Sequence, residues 1–238
     1  MCRSGIPENS RFRPSLLLEA AGKNIVIDTA PEFRLQALTY GLRRLDALLF
    51  THAHADHIFG FDDIRRFNQI QRQPIPVYAS AETLSQLKHH FGYAFDLGVE
   101  NWALPRAQAF EVSGKFSLFG QECEAMLVYH GNLPVTAFRL GDFAYVTDCS
   151  EIPADTMSRL KGLDVLVLDA LRYRPHSTHL CVDEAVRIVQ TLQPQRAYFT
   201  HLCHEVEHRQ LAAALPPGME PAYDGLVVEV NSPATTDA

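Results

Sequence analysis

The stretch Leu48–Ile64, LLFTHAHADHIFGFDDI, decides how this chain is interpreted. An apolar strand is predicted over residues 47–51, and four polar side chains follow it closely: His52, His54, Asp56 and His57. The alternation at 52, 54 and 56 predicts an extended loop that points its side chains at one place, with His57 turning in as a helix starts. Imidazole and carboxylate groups suit Zn, Mn or Fe. The stretch therefore predicts a metal site at the end of a buried strand.

Composition and charge set limits on the compartment and the partners. The chain has 238 residues and a formal net charge of −7, which argues against broad electrostatic capture of nucleic acid or of an acidic membrane. Its cysteines are odd in number and form no CxxC pair, which is typical of reduced thiols. No apolar run approaches the ~20 residues of a membrane helix, and the N-terminus has no signal-peptide core. We therefore expect a cytoplasmic protein without a membrane partner.

Strand and helix patterns alternate along the chain and predict an α/β fold with helices outside stacked sheets. Strands are predicted at residues 15–20, 24–29, 47–51, 76–79, 108–112, 115–118, 122–129, 135–140, 143–147, 165–169, 197–200 and 226–230. Helices are predicted at residues 31–40, 58–70, 81–91 (capped by Ser80), 182–192 and 205–215. Residues 92–105 lack periodicity and are interpreted as an insert near the site. We expect one domain over residues 1–238, with a disordered tail at 231–238.

Three further candidate ligands follow other apolar strands. His130 comes after the strand 122–129, Asp148 after 143–147 and His201 after 197–200. Any one of them alone could be a loop or turn residue, but the repeated order of apolar strand and then polar side chain is more specific. Because one loop cannot complete a two-metal site, we predict that these residues supply the remaining ligands.

Together these segments resemble the metallo-β-lactamase fold superfamily. The resemblance rests on THAHADH (51–57), the lone His130, the strand-end Asp148 and the late His201. RPSLLLEAAGKNIVIDTAPEFRLQAL (13–38), THLCHEVEH (200–208) and AYDGLVVEV (222–230) make the chain similar to the PhnP-like branch, the phosphoribosyl cyclic phosphodiesterases, which is related to tRNase Z-like hydrolases. The resemblance covers about residues 13–230. It implies a four-layer αβ/βα sandwich with the metal site at one edge of two β-sheets.

The resemblance also implies two divalent metal ions, Zn or Mn. The implied ligands are His52, His54 and His130 for one ion, Asp56, His57 and His201 for the other, and Asp148 as a bridge between them. The implied reaction is attack of a metal-bridging hydroxide on a phosphodiester, with Asp56, Asp148 and His179 as the catalytic set.

The segment HSTHLCVDEA (176–185) supplies the implied general acid. The resemblance places His179 where relatives carry a histidine for phosphate binding and general acid catalysis, and His176 is a second candidate for substrate binding. Asp28 matches an early aspartate that supports the histidine loop. The alternatives are that His179 caps the helix 182–192, that His176 is a solvated loop residue and that Asp28 is a turn residue.

The N-terminal region departs from the family pattern. PhnP-like relatives begin with a glycine-rich strand and a cysteine-rich loop that, with a histidine matching His204, holds a structural zinc. Here only Cys2 and His204 resemble that site. We expect the first strand and the cysteine loop to be missing, with residues 1–12 as a remnant of the loop. Either Met1 is not the natural start or the structural zinc is absent.

Four functions remain open. The leading one is a phosphodiesterase for a small anionic phosphoester such as 5-phosphoribosyl 1,2-cyclic phosphate. A tRNA 3′-processing endonuclease needs a basic arm that the sequence lacks, and a glyoxalase II-like thioester hydrolase usually has a basic C-terminal region. A non-catalytic accessory protein that binds metal or a small molecule is the alternative outside the enzymes. Nucleic acid is not an expected partner, and a homodimer is left open.

Overall fold

The computed structural model describes residues 3–98 and 101–231. They form two compact units, which we call the early unit, Phe12–Ser113, and the late unit, residues 3–11 and 114–231. Each unit has its own sheet and its own apolar core. Cys2 and residues 232–238 of the predicted tail lie outside the described residues. The expectation of a single domain stays a prediction.

The early unit contains a five-stranded sheet whose strands lie side by side in chain order. The strands are β1 Leu16–Ala20, β2 Lys23–Ile27, β3 Ala47–Leu49, β4 Ile75–Ala79 and β5 Ala107–Glu111, and the helices are α1 Phe33–Thr39, α2 Ala55–Ile58, α3 Arg65–Gln71 and α4 Ala81–Phe95. β1 and β2 are antiparallel, and β2 to β5 are parallel. Phe33, Phe67 and Leu87 from the helices share one buried core with Leu48 and Val77 from the sheet.

β1 and β2 form a tight hairpin. Leu16 pairs with Ile27 and Ala20 pairs with Lys23, so only Ala21 and Gly22 form the turn. Both turn residues have positive φ, 50° and 70°, which matches the right-handed twist of the two strands.

The late unit contains a seven-stranded sheet in the order β12-β11-β10-β9-β8-β7-β6. The strands are β6 Gly114–Leu118, β7 Gln121–His130, β8 Leu133–Leu140, β9 Phe143–Val146, β10 Val165–Asp169, β11 Arg196–Thr200 and β12 Met219–Pro221, and the helices are α5 Ala154–Arg159, α6 Val182–Leu192 and α7 His208–Ala214. β6 to β9 are antiparallel, and β9 to β12 are parallel. Val189 and Leu211 of the helices share a buried core with Leu166 and Phe199 of the sheet.

The predicted helix over residues 58–70 is wrong in its extent. The structure has α2, a 3-10 turn at Phe61–Ile64 and then α3. The helix is interrupted at Gly60, which packs directly against the segment that follows β2. A Cβ atom at this position would come 2.1 Å from the carbonyl oxygen of Ala30. The Gly60 amide donates to the carbonyl oxygen of Thr29 at 2.9 Å. This contact holds the C-terminal end of α2 against the segment that follows β2.

The strand predicted at residues 226–230 is also wrong. Those residues carry no strand assignment, and Val227 is 87% exposed; the strand at this edge is β12 instead. The last helix begins at His208 rather than at 205, because the Glu207 carboxylate caps it by accepting from the amides of Arg209 and Gln210. Residues 92–95, predicted to lack regular structure, extend α4 to Phe95. The sequence did not predict α5 or β12.

Within the part of the chain that the structure describes, no helix has the length and apolar character to span a membrane.

Candidate functional site

The early unit gathers its candidate ligands at the C-terminal ends of β2 and β3. These strands are parallel with Ile27 opposite Leu49, so the residues that follow them meet at one edge of the sheet. Asp28 follows β2 directly and has a φ of 63°, an uncommon conformation for an aspartate. Its amide donates to the carbonyl oxygen of Leu49 at 2.9 Å, which ties the two strand ends together.

Asp28 is fully buried and fixes the histidine loop through its carboxylate. Oδ1 accepts from the Thr51 amide at 2.9 Å, and Oδ2 accepts from the Thr51 hydroxyl at 2.8 Å. Oδ2 also lies 2.8 Å from Nδ1 of His57. Burial raises the pKa of Asp28, against the lowering effects of His57 and Thr51. With Nδ1 of His57 hydrogen-bonded to this carboxylate, Nε2 is the atom of the ring that can bind a metal ion, an arrangement typical of metal-binding histidines.

The early loop brings its imidazole rings into contact. The ring centroid of His52 lies 4.5 Å from that of His54 and 4.3 Å from that of His57. Nε2 of His57 lies 3.5 Å from an oxygen of Asp56. His52 and His57 are buried, whereas His54 is exposed and Asp56 is partly exposed. We call these four residues the early cluster; their donor types and close spacing fit a divalent metal ion.

The late unit gathers a second set of side chains at the ends of neighbouring strands. Asp148 follows β9, Asp169 ends β10 and His201 follows β11, and these three strands are parallel neighbours. Asp148 and His201 have φ values of 53° and 57°. A positive φ costs ~1–2 kcal/mol at a residue other than glycine, and such residues concentrate at functional sites. The strained backbone at these two positions therefore marks them as candidate functional residues.

These strand ends form two compact groups of metal-type donors with residues from β7 and the loop before α6. His130, Asp148 and His179 offer ligand atoms that all lie within 4.8 Å of one another, and so do Asp169, His179 and His201. Nε2 of His201 lies 3.4 Å from Oδ1 of Asp148. The ring of His179 lies 4.4 Å from that of His130 and 4.9 Å from that of His201, between centroids. We call these five residues the late cluster.

Asp169 is the site residue that sequence reasoning missed. Its Oδ2 lies 3.0 Å from Nδ1 of His179 and also accepts from the amide of Cys149 at 3.1 Å. It is fully buried. The segment VLVLD follows the same order of apolar strand and then polar residue that predicted Asp148 and His201, so the signal was present in the sequence. Asp169 contacts Nδ1 of His179 in the same way that Asp28 contacts Nδ1 of His57.

The loop before α6 also orients His130. Nδ1 of His130 donates to the carbonyl oxygen of Thr178 at 2.6 Å, so Nε2 is the atom of this ring that can bind a metal ion. Thr178 also lies against Gly131, where a Cβ would come 2.9 Å from its methyl group. The structure does not use His179 as the helix cap, because the N-cap of α6 is Cys181.

His176 lies beside His179, with 5.2 Å between ring centroids. Its Nδ1 accepts from the Thr178 amide at 3.3 Å, so in the neutral ring the proton is on Nε2. Burial, His179 and Arg172 lower the pKa of His176. Arg172 donates to the carbonyl oxygens of Arg174 and Pro175, so its guanidinium shapes this loop.

The residues that resemble a structural zinc site, Cys2 and His204, are described only in part. Within residues 3–98 and 101–231, His204 belongs to no group of three clustered metal-type ligands, and Cys2 lies outside those residues. The neighbouring Cys203 is held by backbone contacts instead: its amide donates to the carbonyl oxygen of Leu171 at 2.8 Å.

Comparison with known proteins places the chain in a family. Residues 23–202 match the family model described as a beta-lactamase superfamily domain. A crystal structure of a new diphosphatase from the PhnP family has a TM-score of 0.89 and 39% sequence identity, and the match covers 97% of this chain and 89% of that one.

Two curated relatives match at the sequence level. An octanoyltransferase of Porphyromonas gingivalis is 33% identical over 231 residues; the match covers 95% of this chain but 46% of the relative, so this chain spans about half of its length. A ribonuclease Z of Bradyrhizobium diazoefficiens is 48% identical over 59 residues, which is 24% of this chain and 20% of the relative. The predicted fold class is confirmed by the family model and the structural match. The chain therefore belongs to the beta-lactamase superfamily; it has the metallo-β-lactamase fold and is similar to the PhnP family.

Proposed function

We propose that this protein is a metal-dependent phosphodiesterase that acts on a small anionic phosphoester. The proposal assigns two divalent ions, Zn or Mn, to ligands from both clusters. The assigned ligands are His52, His54, Asp56, His57, His130, Asp148 and His201. The proposal is supported by the family and by the types of donor atom in the two clusters. In addition, Nδ1 of His57 and Nδ1 of His130 each lie within hydrogen-bond distance of an oxygen, so Nε2 is the atom of each ring that can bind a metal ion.

The observation that carries the phosphoester assignment is the placement of His179. Its ring lies among donors of the metal type, yet its Nδ1 is held by the buried carboxylate of Asp169. This contact fixes the ring and makes Nε2 the atom that can act on a substrate. A histidine held in this way can bind a phosphoryl oxygen and give a proton to a leaving oxygen.

Bound divalent ions would supply Lewis acidity and would lower the pKa of a bound water toward ~7. The residues of the chain do the rest. A water-derived nucleophile attacks phosphorus, the bond from phosphorus to the ester oxygen breaks, and His179 transfers the proton from Nε2 to that oxygen. Asp169 stabilises the ring in one orientation throughout. His176, with its Nε2 proton, donates to a phosphoryl oxygen of the substrate.

The first substrate to test is 5-phosphoribosyl 1,2-cyclic phosphate, which the PhnP-like resemblance suggests. The similar crystal structure is of a diphosphatase, so a diphosphate belongs in the same panel. Hydrolysis of precursor tRNA is the second candidate, favoured by the local identity to a ribonuclease Z. The formal net charge of −7 argues against RNA as the substrate.

The test is metal analysis of the purified chain combined with a substrate panel. The panel contains the cyclic ribose phosphate, a diphosphate, bis(p-nitrophenyl) phosphate, precursor tRNA and S-lactoylglutathione, each with added Mn or Zn. We expect turnover of phosphoesters that a chelator abolishes and added metal restores. Turnover of the thioester alone, or of tRNA alone, would overturn the assignment to small phosphoesters. Metal binding without turnover of any of them would support the accessory-protein alternative instead.

A further inference from the structure

An exposed aromatic patch lies one helical turn from the early cluster. Phe59 directly follows α2, and its amide donates to the carbonyl oxygen of Ala55 at 3.1 Å. Ala55 lies between His54 and Asp56 in the chain, so Phe59 is about one 5.4 Å turn from these candidate ligands. The Phe59 side chain is 54% exposed. Single exposed apolar side chains are common, so its significance depends on whether it belongs to a contiguous patch.

Phe59 is part of a group of aromatic rings rather than a lone surface residue. Its ring lies edge-on to His90 and to Phe91, with centroids 6.0 Å and 6.4 Å away. Phe91 in turn packs at 5.1 Å against the fully buried Phe61. The rings therefore continue outward from the core, so that Phe59 rests on a fixed base. A rigid aromatic surface binds another ring at a small cost in conformational entropy.

The backbone of α4 brings this patch together. Phe91 has non-helical φ and ψ values of −127° and 37°, so the helix is kinked there. Tyr93, just beyond the kink, is 45% exposed, and its hydroxyl donates to Asp62 at 2.8 Å. Burial and the hydrogen bond to Asp62 raise the pKa of Tyr93 to about 12. This hydrogen bond fixes the third exposed ring of the patch.

We propose that Phe59, His90 and Tyr93 form a subsite for a planar ring attached to the substrate. The inference rests on the proposed function, which places the phosphate of the substrate at the metal ligands. A ring joined to that phosphate reaches Phe59 because Phe59 and the ligands belong to one short helix and its flanking residues. The substrate class narrows accordingly to phosphoesters with a planar ring, and a phosphorylated sugar that also carries such a ring would satisfy both assignments.

The test compares two phosphonates that differ only in the ring, phenylphosphonate and methylphosphonate. Their dissociation constants are measured by calorimetry on the full chain loaded with Mn. We expect phenylphosphonate to bind about tenfold more tightly to the unmodified chain, the size of effect that aromatic stacking gives. In Phe59→Ala the two ligands should bind almost equally, with methylphosphonate unchanged.

Two control variants are available in the same unit. Leu38→Ala removes another exposed apolar side chain, 65% exposed on α1, and should leave the ratio of the two constants unchanged. Tyr93→Phe keeps the ring and should also preserve the ratio.

The outcomes separate the subsite from the function. Equal binding of both phosphonates to the unmodified chain would overturn the subsite and leave the proposed function standing. A Phe59→Ala variant that weakens both ligands equally would also overturn it. If methylphosphonate does not bind the Mn-loaded chain at all, the proposed function fails and the subsite fails with it.

Discussion

The early and late clusters both contain a histidine that is oriented by a buried aspartate, but they draw on stretches of chain of different length. In the early unit, one buried aspartate, Asp28, holds His57 from a neighbouring strand end. In the late unit, another buried aspartate, Asp169, holds His179 in the same way. In both, the carboxylate accepts backbone amides or hydroxyls as well as the ring, so it is fixed before it fixes the histidine. The shared design is a strand-end aspartate that orients an imidazole.

The two clusters differ in how locally they are encoded. The early cluster lies within His52–His57, and one strand with one short helix is enough to bring its residues together. The late cluster draws on four strand ends and a loop, and it depends on the parallel pairing of β9, β10 and β11. We propose a division of roles in which both clusters supply metal ligands and the late cluster adds His179, held by Asp169, as the group that handles the phosphate. The following predictions test that division.

The largest effect is expected for Asp148→Ala. Asp148 is the proposed bridging ligand, so its loss should remove metal ions as well as activity. We expect turnover to fall by more than ~100-fold, beyond the usual cost of losing an outer-shell partner. Metal content by mass spectrometry should fall in the same preparation. Full metal content in this variant would exclude Asp148 as a ligand.

His179→Ala should affect turnover without affecting metal content. The loss of a general acid typically costs ~10²–10⁴-fold in rate. The matched control is His57→Ala, which removes an early-cluster ligand and should lower both quantities. If His179→Ala loses its metal ions to the same extent as His57→Ala, His179 is a ligand and the proposed separation of His179 from the metal ligands is wrong.

The two buried aspartates give the sharpest comparison. Asp28→Asn should weaken metal affinity by ~10–100-fold, because the His57 ring loses its carboxylate. Asp169→Asn should instead reduce kcat while metal affinity, measured by competition with a chelator, stays close to that of the unmodified chain. Both substitutions preserve side-chain size. Equal effects on metal affinity would show that the two aspartates do not have separate roles.

The smallest effect is expected away from both clusters, at Glu207. Hydrogen bonds from Asn9 and from the amides of Gln210 and Arg209 lower the pKa of Glu207. A carboxylate with a lowered pKa stabilises the folded state above its unfolded pKa, and that contribution is lost as the pH falls through the folded value. Glu207→Gln should therefore lower Tm by ~2–4 °C at pH 7 and by less at pH 4. Metal content should not change; a pH-independent shift in Tm would contradict the ionised cap.

The sequence predicted most of the strands and the early cluster because both depend on local patterns. Apolar runs predicted β3, β10 and β11. The spacing of His52, His54 and Asp56 predicted a loop whose side chains point at one place. VLVLD carries the same order of apolar strand and then polar residue, but the role of Asp169 could not be predicted because its contact with His179 lies ten residues later in the chain and across a loop. The break at Gly60 was missed for a related reason, since it depends on the close approach of Ala30. The strand predicted at 226–230 failed because apolar residues there are not buried by a neighbour.

The central claim is that both clusters supply ligands to divalent ions and that His179 acts as a proton donor instead of a ligand. A crystal soaked in Mn and measured for anomalous scattering tests it directly. The account predicts two Mn peaks, with Nε2 of His57 and Nε2 of His130 among the ligands and no Mn bound to His179. A single Mn peak, or one bound by His179 and Asp169, would contradict it.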